Sequence, residues 1–423
     1  MNYIKENIKQ GITLHKIKTN KFKTNLFSVF ITTKLNREDV TKNALLTSVL
    51  RRGTKNLNSQ ELISQNLENM YGASFDCGVD KVGDNHVLKF YLESINNDFL
   101  PTNENLSKQC FSILLDIVFN PYVENNGFKE EYVKGEKETI KQIIEGKIDN
   151  KAKYAFERCI EEMYKDEPYG LYKYGYIDDL KNIAAQDLYE YYINLIKNAK
   201  IDIFVSGNLE DDIINEIKEN EIINNLNERT AIFNITKKDL DKKKLSSEKI
   251  INESMQITQG KLIIGMDVLN NKKEDKYAIS VYNVILGGSA NSKMFQNVRE
   301  KASLAYTVGS NYLKQKGNIF IKCGIDISNY EKALELIRVQ LDEMKQGKFE
   351  ETDMENAKLL ISSTVGSIPE SQDSEIMYYY VEELSEEFVS IEDYIKNIEK
   401  VSKDEIINIA NNMQINTIYF LKD

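Results

Sequence analysis

Arg299 and Tyr306 stand seven residues apart behind a glycine pair, and their chemistry suits the recognition of a peptide main chain. The run reads Leu286-Gly287-Gly288-Ser289-Ala290-Asn291-Ser292-Lys293-Met294-Phe295-Gln296-Asn297-Val298-Arg299-Glu300-Lys301 and continues to Leu304-Ala305-Tyr306. An arginine offers a fixed planar cation to a carbonyl or carboxylate, and a tyrosine offers a phenolic donor. A flexible turn at Gly287 and Gly288, a short helix from Asn291 or Ser292 and a strand entered at Ser303 would bring Arg299 and Tyr306 toward a common face. The same residues admit a purely structural reading, in which the glycines end one helix, Ser292 caps the next, Arg299 forms a surface ion pair and Tyr306 packs in a sheet. Gly287-Gly288-Ser289 before a helix could also cradle an anion, but the spacing is not that of a nucleotide-binding loop.

A second segment has the frame of a metal helix without its ligands. From Asn43 to Thr54 the chain reads NALLTSVLRRGT, with apolar residues at helical spacing, Asp39 or Thr41 available as a cap, and Gly53 where a helix stops. An inverted His-x-x-Glu-His pattern on such a helix would supply two zinc-binding imidazoles and a general base. In that register Ala44 takes the first histidine position, Thr47 the glutamate and Ser48 the second histidine. None of the three can hold zinc or accept a proton from water at neutral pH.

Other chemistries find little support. The chain has two histidines, His15 and His86, and no Gly-x-Ser-x-Gly, so a serine hydrolase lacks both elbow and base. His15 lies in a basic stretch that reads as exposed, and His86 reads as a half-exposed strand-end residue. Cys77, Cys110, Cys159 and Cys323 are widely spaced, which argues for free, buried thiols rather than a disulfide framework or zinc knuckle. Acidic clusters such as Glu161-Glu162 and Glu382 to Glu387 lack the alternating donors and glycine of a calcium loop. A net charge of −11 disfavours nucleic acid as a partner. With no signal-like or membrane-spanning apolar run, a cytoplasmic protein with no membrane partner is expected.

These residues need scaffolding, and 423 residues at 41% hydrophobic suffice for two cores. An internal repeat says how they are organised. Leu46 to Thr54 matches Val281 to Ser289 in pattern, Gln65 to Glu68 faces Gln296 to Arg299, and Ala73 to Phe75 aligns with Leu304 to Tyr306. Strand-like runs recur at Leu26 to Thr33 and Lys261 to Met266, at Val87 to Leu92 and Ile319 to Ile325, and at Ile201 to Ser206 and Thr417 to Leu421. Glu130 to Glu145 and Lys151 to Lys165 read as long amphipathic helices. The charged, apolar-poor run Lys237 to Glu248 separates the copies. The expected architecture is therefore α+β, with two homologous domains of largely antiparallel sheet against helices: 1–235, a charged linker 236–257, and 258–423.

The run SKMFQNVREKASLAYTVGS behind LGG closely resembles the C-terminal-domain signature of the insulinase and mitochondrial processing peptidase family, zinc peptidases with the inverted motif. The duplicated domain, the Asn43 to Thr54 helix ending in Gly-Thr and the helix carrying Glu136-Lys137 resemble it too. Within that family the chain is similar to the metal-less insulinase-like proteins associated with elongation factor P modification. The resemblance implies a chamber of two two-domain halves, a zinc site in one half and an Arg/Tyr pair in the partner's C-terminal domain, here Arg299 and Tyr306. It also places the third zinc ligand at Glu136. Because Ala44, Thr47 and Ser48 replace the remaining ligands and the base, the implied role is a non-catalytic, substrate-binding subunit that itself carries no cofactor. A homologous partner would bring the zinc, and the substrate would be a peptide or unfolded protein. The alternatives are a stand-alone peptide-binding scaffold, perhaps homodimeric, and a self-sufficient hydrolase with a rebuilt site.

Overall fold

A computed structural model describes residues 2–208, 211–229, 242–385 and 387–423. The strands are β1 (Tyr3–Lys9), β2 (Ile12–Lys18), β3 (Thr24–Lys34), β4 (Ser74–Val82), β5 (Asn85–Ile95), a small hairpin β6 (Val123–Glu124) and β7 (Gly127–Phe128), and β8 (Lys200–Gly207). They continue with β9 (Lys249–Ser254), β10 (Gly260–Val268), β11 (Ala305–Leu313), β12 (Asn318–Ile325) and β13 (Met413–Lys422). The helices of the first half are α1 (Val40–Leu50), α2 (Gln60–Asn69), α3 (Leu106–Phe119), α4 (Glu130–Glu145), α5 (Lys151–Met163), α6 (Ile177–Asn182), α7 (Ala185–Asn198), α8 (Asp211–Glu219) and α9 (Glu221–Asn225). Those of the second are α10 (Asp275–Asn283), α11 (Tyr330–Lys345), α12 (Glu351–Gly366), α13 (Gln372–Glu383), α14 (Ile391–Glu399) and α15 (Lys403–Asn411).

The duplication is explicit in the two main sheets. One has the order β1-β2-β8-β3-β5-β4, the other β11-β12-β10-β13-β9. Read from opposite ends, the orders coincide except that β1 has no counterpart among the described residues of the second sheet. Each sheet contains one parallel pair, β2 with β8 and β9 with β13, and is otherwise antiparallel. The first sheet begins two strands earlier than the apolar run at Leu26 suggests. β1 is half-polar with most of its side chains partly or fully exposed, so it gives no apolar signal of its own. Part of the expected linker also enters a sheet, because 249–254 pairs with β13, while Lys237 to Asp241 of the charged run lie outside the described residues.

Two compact units result, but neither is contiguous in sequence. One comprises Met1–Gly146, Leu171–Thr236 and Glu370–Val381; the other comprises Lys147–Gly170, Lys237–Pro369 and Glu382–Asp423. Each sheet thus takes one helix from the other half of the chain, which modifies the linear division at 236–257. The reason is strand alternation: successive side chains face opposite sides, and both faces here are buried. In the second unit Leu262, Ile264 and Met266 of β10 face one core, while Ile263 joins Phe320, Tyr419 and Leu421 on the other face, where Ala155, Cys159 and Ile160 of α5 cover them.

The first unit repeats the device. Phe27, Val29 and Ile31 of β3 pack under the unit's own helices, whereas Phe30 points the other way and meets Tyr380 of α13 edge-on, ring centroids 4.9 Å apart. The Tyr380 hydroxyl lies 2.7 Å from Thr32 Oγ1, and Gln372 Nε2 donates to the Ser206 carbonyl at 2.9 Å. Among the described residues no helix is long and apolar enough to cross a membrane.

Tyr380 is fully buried, so Tyr380→Ala should cost about 3–5 kcal/mol of unfolding free energy and Tyr380→Phe about 1–2 kcal/mol through the orphaned Thr32 hydroxyl. Urea unfolding of the two variants tests the ranking; equal stability of Tyr380→Ala and wild type would mean that α13 does not cap this face.

Candidate functional site

In the first unit, α1 presents its degenerate motif to α4. Ala44 and Thr47 are buried and Ser48 is half-buried. Ala44 offers only a methyl group. Thr47 Oγ1 donates to the Asn43 carbonyl at 2.8 Å, a local bond that commits its proton to its own helix. Glu136 of α4 does reach this region, with its side chain 7% exposed, but its carboxylate meets Arg52 just past the end of α1, Nη1 to Oε1 at 3.3 Å. Arg52 also reaches Gln60 Oε1 at 3.2 Å and lies over the Tyr132 ring at 5.2 Å. Burial raises the Glu136 carboxyl above the usual carboxylate range, and Arg52 and Arg51 pull it down only in part.

The residues present do not fit a zinc centre. A methyl and two hydroxyls replace an imidazole–glutamate–imidazole set, and the carboxylate at the third ligand's position is paired with a guanidinium. Among the described residues no group of three or more His, Cys, Asp or Glu side chains is placed to hold a metal. Cys77 of β4 approaches α1, its Sγ donating to the Thr47 carbonyl at 3.5 Å, yet burial pushes this thiol up to about 12 and keeps it protonated. Cys77 is half-buried rather than buried; the other three cysteines are buried, and all four are free.

Both histidines sit deeper than their sequence context suggests. His86 is fully buried in β5, where Nε2 donates to the Lys173 carbonyl at 3.0 Å and Nδ1 accepts from Asn43 Nδ2 at 3.1 Å. Asn43 Oδ1 in turn accepts from Tyr191 at 2.7 Å. This network suits the neutral imidazole, and burial lowers its pKa to about 4. His15, also fully buried, lies between Asp202 Oδ1 at 2.9 Å and Tyr3 Oη at 2.7 Å. The lysines around His15 alternate along β2, which made an inward-facing histidine look exposed.

In the second unit the glycine run and the Arg/Tyr pair fall on neighbouring features. α10 runs into a wider π-type turn over Val284–Gly288, and a second such turn, Phe295–Lys301, carries Arg299. Turns of this kind recur at functional sites. Gly287 is required by close approach: a Cβ there would lie 2.7 Å from Ser310 Oγ and 2.8 Å from its backbone nitrogen. Gly288 is less constrained, with nothing nearer than 3.3 Å.

Arg299 and Tyr306 line one open depression of about 400 Å³, with Glu300, Ser303, Leu304, Ala305, Asp326 and Asn329. The Arg299 guanidinium stacks on Phe295 at 4.6 Å and, among the described residues, has only Glu300 as an ion-pair partner, at 3.6 Å, with the side chain 41% exposed. Tyr306 is 62% exposed and falls at a β-bulge, since Ala305 pairs with Ile325 and Thr307 with Gly324. Bulges re-aim side chains in this way. Gly287 and Gly288 do not line this depression; Gly287 packs against Ser310 of β11. Sequence reasoning missed Phe295, Arg52 and Asn43, whose roles depend on partners far along the chain or on helical stacking that residue type alone does not signal.

Comparison with known proteins fits this geometry. Residues 182–361 match the family model described as the peptidase M16 inactive domain. A Bacillus subtilis protein described as a probable inactive metalloprotease, YmfF, is 34% identical over 413 residues, covering 97% of this chain and 96% of its own length. A conserved protein from Enterococcus faecalis V583 superposes with a TM-score of 0.89 at 27% identity over 100% of this chain and 99% of that one. A peptidase M16 inactive domain from Pseudomonas fluorescens shares the fold, with a TM-score of 0.76 at 17% identity over 100% and 98% of the two chains.

Two stability measurements test the first-unit networks. The folded-state pKa of His86 lies below its unfolded value, so its contribution is complete above about pH 6.5 and is lost as pH falls toward 4. Unfolding free energy should drop on the order of 2 kcal/mol more between pH 7 and pH 5 in wild type than in His86→Gln; parallel curves would contradict the buried neutral imidazole. Arg52→Ala should cost about 1–3 kcal/mol by leaving Glu136 without its partner, and Glu136→Gln should restore part of that loss in the double variant. Strict additivity in urea titrations would rule out the pairing.

Proposed function

The chain belongs to the M16, insulinase-like peptidase family as an inactive member without that family's metal ligands, and from this premise we propose that it is the substrate-binding subunit of a two-chain zinc peptidase. The partner would be a homologous chain with an intact motif, supplying the zinc-activated water. This chain would supply Arg299 and Tyr306, with Gly287 and Gly288 shaping the loop behind them. The observation that carries the reading is the contrast between the two sites. At the first, the Thr47 hydroxyl bonds to its own helix and the Glu136 carboxylate pairs with Arg52. At the second, a guanidinium with one distant carboxylate and a solvent-facing phenol line an open depression, where they would donate to a main-chain carbonyl as charge develops on it. Peptide or unfolded polypeptide is the matching substrate class. The free, widely spaced cysteines suit a reducing, cytoplasmic setting.

A second reading, a stand-alone peptide-binding scaffold, uses the same depression and needs no partner. Mixing experiments separate the two. Peptide cleavage should appear only when this chain is combined with a homologue carrying the intact motif, and Arg299→Ala or Tyr306→Phe should lower that activity by roughly one to three orders of magnitude. Tight peptide binding by the single chain, with no gain of activity in any mixture, would favour the scaffold. Unchanged turnover in both variants would remove the assigned roles.

A further inference from the structure

A cluster of titratable groups around His15, in the first unit, has no part in the function proposed above. Strand register assembles it. β1 and β2 run antiparallel with Lys5 opposite His15 and Tyr3 opposite Ile17, so Tyr3 and His15 lie diagonally on one face of the sheet. β2 pairs in parallel with β8, which sets His15 opposite Phe204 and brings Asp202, two residues before it, onto that same face. Tyr379 of α13 stacks on Tyr3 with ring centroids 4.3 Å apart, and Phe204 stacks on His15 at 4.1 Å. The two stacks fix the planes of the phenol and the imidazole.

Hydrogen bonds put the three groups in order. Asp202 Oδ1 lies 2.9 Å from His15 Nε2, and Tyr3 Oη lies 2.7 Å from His15 Nδ1. Lys200 Nζ also donates to Asp202 Oδ1 at 2.6 Å. Burial pushes the Asp202 carboxyl up, but Lys200 and His15 overcome that push and hold it at about 2, so it is ionised and can only accept. His15 Nε2 must therefore donate, which leaves the Nδ1 lone pair of the neutral imidazole to accept the Tyr3 proton. His15 and Asp202 are fully buried, whereas Tyr3, on the edge strand β1, is partly exposed. A nucleophile within reach of a base that a third group orients is the arrangement that activates hydroxyls for acyl transfer.

We propose that Tyr3 is an activated phenol that takes an acyl group from an activated ester or thioester, with His15 as the proton acceptor and Asp202 as the residue that positions it. In that step the bond from Tyr3 Oη to the carbonyl carbon forms, and the bond from that carbon to the leaving oxygen or sulfur breaks. The Tyr3 proton moves to His15 Nδ1, and the leaving group departs with the bonding electron pair. His15 then passes the proton to the leaving group or to water. The product is an O-acyl tyrosine in the first unit, a modification that stands whether or not the Arg299 and Tyr306 depression binds peptide.

The test is acetylation of the full chain by p-nitrophenyl acetate, with the adducts located by peptide mass spectrometry. Tyr306, 62% exposed, is the reference phenol in the same molecule. Tyr3 should be acetylated at least about a hundredfold faster than Tyr306, the scale of a positioned general base, and Tyr3→Phe should remove that fast adduct. Asp202→Asn, its carbonyl taken by Lys200, presents an amide N–H to His15 Nε2 and so moves the ring proton to Nδ1, which keeps the bond to Tyr3 but removes the base. Nitrogen NMR of the histidine-labelled variant should show that exchange at His15 beside an unchanged His86, while Tyr3 acetylation falls to the Tyr306 rate. Acetylation of wild-type Tyr3 no faster than that of Tyr306 would overturn the proposal and leave the cluster as an anchor for β1. Fast acetylation that persists in Asp202→Asn after the proton has moved would overturn the roles given to His15 and Asp202.

Discussion

Both faces of each main sheet are buried, and the local helices of each half cover one face. That constraint shapes the rest of the molecule. It draws α5 onto β10, β12 and β13 and α13 onto β3 and β8, so a chain with an evident tandem repeat nevertheless builds two units from interleaved segments. With both faces covered, polar side chains inside the first unit form buried networks, such as His15 with Asp202 and Tyr3. The Tyr191–Asn43–His86–Lys173 chain is one such network, and its effect is to fix α1 against β5.

The two copies differ in how their polar residues are used. In the first, the region between α1 and α4 has become structural: Thr47 bonds to its own helix, and Glu136 is held by Arg52. A buried carboxylate beside one guanidinium contributes little net stability, but it is costly to disturb. In the second, α10 runs into one π-type turn whose Gly287 packs against β11, a separate π-type turn carries Arg299, and Arg299 and Tyr306 keep donors facing solvent. The first arrangement gives up reactivity for fixed packing. The second keeps side chains available at some cost in regular structure.

Much of this was legible in the sequence because it follows period and repetition. The strand and helix segments from Leu26 onward, including α4 over Glu130–Glu145, follow from apolar spacing, and the α+β class follows from their order. The Arg/Tyr spacing identified two residues that line one depression. Long-range choices were not legible. Amphipathicity shows that α5 must bury a face but not that it buries it on the other half's sheet. His15 looked exposed because its neighbours are basic, yet alternation turns it inward to Asp202. The Arg52–Glu136 pair joins positions far apart in sequence whose proximity only the fold provides.

The central claim is that α1 and α4 of this chain cannot assemble a hydrolytic metal centre. Its most direct test is zinc titration of the pure chain by calorimetry, with peptide hydrolysis followed in the same samples before and after chelation. The account predicts no stoichiometric zinc at the α1–α4 site and no chelator-sensitive cleavage at any zinc concentration. One zinc bound per chain, lost in Glu136→Gln and accompanied by cleavage that chelation abolishes, would contradict it.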